Sequence, residues 1–234
     1  MAIYVTSDLH GYSIAKFKQL LKTIGFSGSD WLYILGDVID KCGDGGLSIL
    51  KWLLDQPNVE LIRGNHEQMM LDSMWAFDEI TDETISSVSA RDVESFNLWM
   101  ANGGEPTIAS IKKILREDPI LLEDIIDYLK ETPLCESVEV NGKSFLLCHS
   151  GFGGFSKEKK LSDYKMFDVL WNRPSKDDRY FDDVITVFGH TPTEYLGRPG
   201  VAFVTDTWID IDVGVYLGNQ PMFLRLDDLK EFYS

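Results

Sequence analysis

The sequence has few of the residues that mark exported, disulfide-bonded or thiolate-ligated proteins. Its 234 residues contain three cysteines, and no two of them have the CxxC spacing of a metal or redox motif. Three thiols cannot all pair, so we expect reduced cysteines and a cytoplasmic protein. No apolar run approaches the roughly 20 residues of a membrane-spanning helix, and a strand predicted from Ala2 leaves no room for a secretory signal peptide. We therefore expect no contact with membranes.

Positive charge is also scarce. The chain has 22 lysine and arginine residues against 38 aspartate and glutamate residues, which gives a formal net charge of -16. Such a surface repels the phosphate backbone of nucleic acids, so we expect no nucleic-acid partner. If the substrate carries phosphate, a few local cations must attract it.

Histidine is scarce too, and its occurrences share one setting. Each of the four follows a short apolar run at the point where that run ends: His10, His66, His149 and His190. A fifth run, 31–35, ends before Asp37 and Asp40. Ligands bind at the carboxyl ends of strands in open α/β sheets, so this placement indicates a functional site. Residues 59–62 form the run that precedes Asn65 and His66. Taken alone, this run allows an alternative in which Asn65 is a helix N-cap and His66 is merely exposed.

The first third of the chain has a regular spacing. Asp8, Asp37 and Asn65 follow successive apolar runs and lie 29 and 28 residues apart. A strand, a crossover helix and the next parallel strand together require about 30 residues. Residues 13–24 and 47–54, which lie between the runs, show the apolar period of helices. The sequence therefore predicts an α/β fold in which these side chains converge at one edge of one sheet.

The rest of the chain divides into a helical part and a β part. Residues 68–133 show helical periods and hold five basic and fourteen acidic residues. We interpret them as an acidic helical insertion in a single domain spanning 1–234, with a charged face that is either solvated or a docking surface. From Cys135 onward short strands dominate, beginning with a hairpin at Asn141-Gly142. This pattern predicts two packed sheets, the first more parallel and the second more antiparallel.

The polar residues at the strand ends suit metal ions. Carboxylate, imidazole and amide ligands without thiolates favour Mn, Fe or Zn. Asp8 and His10 occupy alternating positions of one extended segment and can reach the same ion, whereas Asp37 has two oxygens and can bridge two ions. The second ion would be completed by Asn65, His149 and His190. A pair of ions lowers the pKa of a shared water and provides a hydroxide for in-line attack on phosphorus.

Two other short patterns predict no site. His66-Glu67 lacks the second histidine of a zinc-protease helix. Asp210-x-Asp212 lacks the spacing of an EF-hand calcium loop.

Taken together, the strand-end motifs resemble those of a known family. They are SDLHG at 7–11, GDVIDK at 36–41, GNHE at 64–67, HSG at 149–151 and GHT at 189–191. In this order they are similar to the phosphoprotein phosphatase branch of the calcineurin-like metallophosphoesterases, particularly the bacterial and phage serine/threonine phosphatases. The resemblance covers nearly the whole chain outside the helical insertion. It implies a β-sandwich of two mixed sheets flanked by helices, with a dinuclear metal site above it.

The resemblance also implies roles for individual residues. His66 would be the general acid that protonates the leaving alkoxide, and Asp40 would orient it and keep it cationic. Arg173, in a motif similar to the family's second arginine-bearing motif, would grip the phosphoryl oxygens together with Asn65; the alternative is a surface arginine. Lys41 stands where the family usually has arginine. An ammonium is a point charge without the rigid fork of a guanidinium, so phosphate would be held more loosely.

The function expected from these residues is metal-dependent hydrolysis of phosphomonoesters. Phosphoserine or phosphothreonine in proteins is the first expectation for the substrate, with direct water attack, no phosphoenzyme and two divalent ions, Mn before Fe or Zn. Hydrolysis of nucleotides or dinucleoside polyphosphates is the second, against which Asp40 argues, because that branch is expected to lack a carboxylate there. A binding scaffold without turnover is the third, and the intact ligand set argues against it.

Overall fold

Two mixed β-sheets packed face to face form the centre of the fold, and helices cover their outer sides. The structure, a computed structural model, describes residues 1–233. Val5 of the first sheet, with Leu35 and Ile62 directly after two of its strands, belongs to the same buried cluster as Phe145 and Leu147 of the second. Because both faces of these strands are buried, the sequence reads there as continuous apolar runs and not as an alternating pattern.

The first sheet has the strand order β10-β9-β1-β2-β3. Its strands are β1 Ile3–Thr6, β2 Trp31–Ile34, β3 Val59–Leu61, β9 Phe223–Arg225 and β10 Lys230–Phe232. β1, β2 and β3 are parallel, and the crossovers between them contain α1 Ile14–Thr23 and α2 Leu47–Leu53. The strand–helix–strand spacing predicted from the sequence is therefore confirmed. β9 and β10 come from the end of the chain and add two antiparallel strands.

The second sheet has the order β4-β5-β6-β8-β7. Its strands are β4 Cys135–Val140, β5 Lys143–Cys148, β6 Val184–Phe188, β7 Phe203–Val204 and β8 Trp208–Asp210, with α8 Met166–Leu170 on its outer side. The hairpin at Asn141-Gly142 joins β4 to β5 as predicted. The expectation of a more antiparallel second sheet is wrong. Over residues 1–233, each sheet combines two parallel and two antiparallel pairings, because β5, β6 and β8 run in the same direction.

Five α-helices lie between β3 and β4. They are α3 Asn65–Asp72, α4 Asp82–Ser87, α5 Ala90–Ala101, α6 Glu105–Glu117 and α7 Pro119–Glu131, with a 3-10 turn at Met74–Phe77. We call Asn65–Glu131 the helical segment; that part of it is an insertion stays a prediction. None of the helices in residues 1–233 is long and apolar enough to cross a membrane.

Arg63 holds the two ends of the helical segment together. Its backbone N–H donates to the carbonyl of Pro133 at 2.8 Å. Its guanidinium donates to the carbonyls of Lys130 at 2.6 Å and Thr132 at 3.0 Å. The chain therefore leaves β3 and returns to β4 at nearly the same place.

Candidate metal centre

The strand-end loops of both sheets meet at one polar cleft of about 100 Å³. It is lined by His10, Asp37, Asn65, His66 and His190, together with Lys41 and Arg173. Asp8 and His149 are buried beside these residues. The structure thus brings together all the residues that the sequence analysis singled out. A larger open groove of about 400 Å³ lies between α2, α6 and α7, away from this cluster.

The backbone around the cleft is held in a conformation that residues with a Cβ rarely adopt. Eight non-glycine residues among 1–233 have positive φ, and six of them belong to this site: Asp8, His10, Asp37, Asp40, Lys41 and His190, with φ between 42° and 75°. Such conformations cost about 1–3 kcal/mol each and concentrate at functional sites. The loops are therefore shaped to aim side chains into the cleft at the expense of stability.

Asp37 lies between two groups of side chains. His10, Asp37 and His66 form one group and Asp37, His149 and His190 the other, and within each group one ligand atom per residue lies within 4.8 Å of the others. The shared position of Asp37 is the one expected of a bridging residue. His66 stands in the first group, where the sequence analysis had Asp8; Asp8 Oδ1 lies 3.9 Å from His10 Nε2.

Two of the imidazoles are oriented by backbone carbonyls. His10 Nδ1 lies 3.1 Å from the Ile39 carbonyl, and His149 Nδ1 lies 2.7 Å from the Leu35 carbonyl. A carbonyl only accepts hydrogen bonds, so both rings carry the proton on Nδ1. The lone pair of each Nε2 then faces the cluster. Metal-binding imidazoles are held in this way.

The surroundings of His149 fit a cation. Its Nε2 lies 2.8 Å from Asn65 Oδ1, 3.4 Å from Asp37 Oδ1 and 3.2 Å from His190 Nδ1. The lone pairs of His149 Nε2, Asn65 Oδ1 and Asp37 Oδ1 thus converge here. Asp8 Oδ1 and His190 Nε2 are buried and have no hydrogen-bond partner within the described chain. Buried polar atoms are rarely left unpaired, and this oxygen and nitrogen set suits a first-row divalent ion.

Burial shifts the pKa of each clustered group in the direction that favours its uncharged form. Burial and a neighbouring carboxylate raise the pKa of Asp8 to about 7, and burial and the Asp8 charge raise that of Asp37 well above its usual value. Burial lowers the pKa of His10, His149 and His190. The imidazoles are therefore neutral, which is the form that binds metals. The carboxylates are stabilised as anions only if positive charge lies among them.

Glu67 fastens the Asp37 loop to α3, and the sequence analysis gave it no role. Its Oε2 accepts the backbone N–H groups of Asp37 at 2.9 Å and Gly64 at 3.0 Å. Its Oε1 accepts those of Val38 at 2.8 Å and Ile39 at 3.3 Å. Glu67 is the third residue of α3, where a glutamate commonly reaches back to the N-cap, and that spacing was the available signal.

His66 and Asp40 form the expected pair. His66 Nδ1 lies 2.6 Å from Asp40 Oδ2, and its Nε2 lies 3.7 Å from Asp37 Oδ2. Asn65 is the first residue of α3 and Gly64 is the N-cap, so the alternative of an Asn65 cap with an exposed histidine is wrong. That Asp40 keeps His66 cationic stays a prediction. Burial by itself lowers the pKa of His66 well below its usual value and raises the pKa of Asp40 to about 7.

Lys41 and Arg173 supply positive charge at the cleft. Lys41 Nζ lies 3.9 Å from the ring centre of Tyr216, a cation–π contact. Arg173 is exposed, and its Nη1 lies 3.4 Å from the His190 carbonyl and 3.5 Å from Thr191 Oγ1. Both side chains border the cleft. Their part in phosphate binding stays a prediction.

Asp212 also lines the cleft, although the sequence analysis set its motif aside. Burial raises its pKa to about 6, and the Oδ2 of the neighbouring Asp210 is buried without a partner in residues 1–233. Asp210 is the last residue of β8 and Asp212 lies two residues beyond it, so both stand at a strand end like the other polar residues of the site. Testing that run for strand-end carboxylates would have found them.

The chain matches known proteins over nearly its whole length. Residues 1–216 match the family model for calcineurin-like phosphoesterases. The chain is 27% identical over 201 residues to the symmetrical bis(5'-nucleosyl)-tetraphosphatase of Chromobacterium violaceum, covering 83% of this chain but only 58% of that protein. It is 25% identical over 235 residues to serine/threonine-protein phosphatase 1 of Salmonella typhimurium, covering 96% and 91% of the two chains.

A solved structure supports the architecture. A crystal structure described as a candidate diadenosine tetraphosphatase superposes with a TM-score of 0.63 and 14% identity, covering 100% of this chain and 92% of that one. At this identity the likeness concerns the fold alone. The predicted β-sandwich of two mixed sheets with flanking helices is confirmed.

Proposed function

Because the chain belongs to the calcineurin-like phosphoesterase family, we propose that it is a metal-dependent phosphomonoesterase that acts on phosphoserine or phosphothreonine in proteins. The observation that carries the proposal is the His66–Asp40 pair, 2.6 Å apart, beside the shared residue Asp37. A serine or threonine alkoxide is a strongly basic leaving group and gains much from a proton donor. A phosphate released from an anhydride is far less basic and gains less.

The proposal assigns metal binding and phosphate binding to different residues. Asp8 and His10 would hold one divalent ion, and Asn65, His149 and His190 the other, with Asp37 between them. When bound, two such ions, Mn²⁺ in our proposal with Fe or Zn as alternatives, supply charge neutralisation at phosphorus and a water that ionises near neutral pH. Lys41 and Arg173 draw the phosphoryl group to an otherwise acidic chain, and Asn65 adds a polar contact to its oxygens.

His66 would donate the proton to the leaving oxygen from Nε2 in its doubly protonated form, in which the Asp40 carboxylate accepts the Nδ1–H. His66 Nε2 also lies close enough to Asp37 to act as a ligand of the first ion. The two roles differ in what they predict. Loss of a proton donor slows substrates with basic leaving groups most, whereas loss of a ligand slows all substrates alike.

Hydrolysis of dinucleoside polyphosphates is the second candidate. The 27% identical relative carries that name, and Tyr195 at the cleft is 66% exposed. An exposed aromatic ring can stack a nucleobase. A clear preference for diadenosine tetraphosphate over phosphopeptides would make this candidate the first.

The test compares a phosphoserine peptide, p-nitrophenyl phosphate and diadenosine tetraphosphate with Mn²⁺ added. We expect turnover of the monoesters, a loss of at least about 100-fold in Asp37→Asn and a loss of similar size in His66→Asn with the peptide. Elemental analysis of the purified chain identifies the metal. Absence of turnover with Mn, Fe or Zn would favour the binding-scaffold alternative, and full activity in Asp37→Asn would refute the site.

A further inference from the structure

We propose that Trp99 and Thr107, from the helical segment, are positioning residues that hold Asp40 and through it orient His66 for proton donation. Neither residue belongs to the strand-end motifs, and neither lines the cleft. The inference rests on the proposed role of His66 as proton donor. It assigns part of the site to a segment that supplies none of the predicted ligands beyond Asn65 in its first turn.

The Asp40 carboxylate contacts Trp99 and Thr107 in addition to His66. Trp99 Nε1 lies 2.9 Å from Oδ2 and 3.1 Å from Oδ1. Thr107 Oγ1 lies 2.5 Å from Oδ1 and accepts the Asp40 backbone N–H at 3.0 Å. The hydroxyl has one hydrogen, and the Gly45 carbonyl at 3.1 Å is the more distant acceptor, so the hydrogen goes to Asp40. All three side chains of the cluster, Asp40, Trp99 and Thr107, are fully buried.

Donor counting then fixes the state of His66. Trp99 N–H and Thr107 O–H can only donate to the Asp40 oxygens in this arrangement, so Asp40 acts as acceptor in both contacts. Two donated hydrogen bonds stabilise the anionic form of Asp40, and an anionic carboxylate can only accept, so the remaining contact, 2.6 Å from Oδ2 to His66 Nδ1, takes its hydrogen from the imidazole. With Nδ1–H committed to Asp40, Nε2 is the nitrogen that exchanges a proton at the cleft. The two donors thus set both the plane of the carboxylate and the tautomer of the ring.

Two glycines permit this close packing. A Cβ at Gly104 would lie 2.8 Å from Trp99 Nε1, and a Cβ at Gly45 would lie 2.6 Å from Thr107 Oγ1. Gly104 is the N-cap of α6, so the indole packs directly against the junction of α5 and α6. At the same junction, the Gly103 carbonyl accepts the Lys41 backbone N–H at 2.9 Å. The α5–α6 junction therefore holds the loop at Asp40 and Lys41 in place.

The experiment removes the donors and keeps the shapes. The variants Trp99→Phe and Thr107→Val, singly and combined, are assayed as full chains with Mn²⁺ on p-nitrophenyl phosphate and on phenyl phosphate. Phenol, with a pKa of about 10 as in tyrosine, is a much more basic leaving group than p-nitrophenol. The ratio of the two kcat/KM values is the readout, because the fraction of correctly folded enzyme cancels from it.

We expect the combined variant to lose about tenfold more kcat/KM on phenyl phosphate than on p-nitrophenyl phosphate, within the range of general acid contributions. Thr107→Ser keeps the hydroxyl and should therefore show the wild-type ratio, unlike Thr107→Val. Trp208→Phe and Thr186→Val are matched controls: Trp208 is a buried tryptophan whose N–H donates to the Asp178 carbonyl, and Thr186 is a buried threonine of β6. Both should leave the ratio unchanged.

A second readout does not depend on turnover. Nitrogen-15 spectra of labelled imidazoles report the His66 tautomer, with the signal assigned by its absence in His66→Asn. We expect Nδ1–H in the wild type and its loss or exchange in the combined variant. An unchanged ratio and an unchanged tautomer would overturn the inference. If His66→Asn itself leaves the leaving-group ratio at the wild-type value, the proposed role of His66 fails, which distinguishes the two failures.

Discussion

Replacing Glu67 by glutamine isolates one carboxylate that organises the Asp37 loop. Each of its oxygens accepts two backbone N–H groups, from Asp37 and Gly64 on one side and from Val38 and Ile39 on the other. A glutamine side chain has nearly the same shape but only one accepting oxygen. In either orientation its NH₂ group faces two N–H donors that then lack an acceptor.

The expected loss in the free energy of unfolding follows from the number of N–H groups left without an acceptor. A buried donor without a partner costs roughly 1–3 kcal/mol, so two cost about 2–6 kcal/mol, and we expect about 3 kcal/mol after local relaxation. The measurement is urea unfolding followed by circular dichroism in the presence of a chelator, compared at equal m-value. The exposed Glu139→Gln on β4 is the control and should change stability by less than about 0.5 kcal/mol.

The same variant should weaken Mn²⁺ binding in titration calorimetry, because Asp37 belongs to the loop that Glu67 holds. A loss of stability below about 1 kcal/mol would refute the reasoning, since it would mean that the four N–H groups do not depend on the charged side chain. A large loss of stability with unchanged Mn²⁺ affinity would mean that Glu67 stabilises the loop but does not position Asp37 for metal binding.

Three further outcomes follow from the site. Mn²⁺ at 100 times its dissociation constant should stabilise the wild type by about 2.7 kcal/mol, measured by thermal unfolding, and should leave Asp37→Asn unchanged; equal stabilisation of both would contradict the site. Lys41→Arg should lower KM for a phosphoester because a fork contacts two oxygens, although the contact with Tyr216 is altered; a higher KM would show that this contact matters more. Gly36→Ala should cost more than about 1 kcal/mol in urea unfolding, because φ is 86° and the new Cβ would lie 2.7 Å from His149 Nδ1; wild-type stability would contradict the geometry.

The sequence sufficed for the parts of the fold that repeat locally. Apolar runs ending in Asp8, Asp37 and Asn65 at intervals near 30 residues predicted the parallel strands β1 to β3 and the edge where their ligand candidates meet. The hairpin at Asn141-Gly142 was predicted from its turn residues alone. Both signals work because period and turn chemistry are properties of neighbouring residues.

The features that could not be predicted from the sequence depend on contacts between residues far apart along the chain. Trp99 and Thr107 lie 59 and 67 residues from Asp40, and nothing in their local pattern distinguishes them from ordinary helix residues. The direction of β5, β6 and β8 was misjudged because strand direction is set by crossovers, which the run lengths do not reveal. The positive φ angles of the site are likewise invisible in a sequence whose residues there are not glycine.

The hydrogen bonds by which Arg63 joins the two ends of the helical segment have an evolutionary consequence. A stretch of chain that departs and returns at one point can be lengthened, shortened or exchanged without shifting the strands on either side. In this molecule the strand ends and the first turn of α3 carry the ligand candidates and His66, whereas the exchangeable part of the stretch, after α3, carries Trp99 and Thr107. Evolutionary changes confined to that part would alter which leaving groups the enzyme accepts. The residues proposed to bind the ions would stay the same.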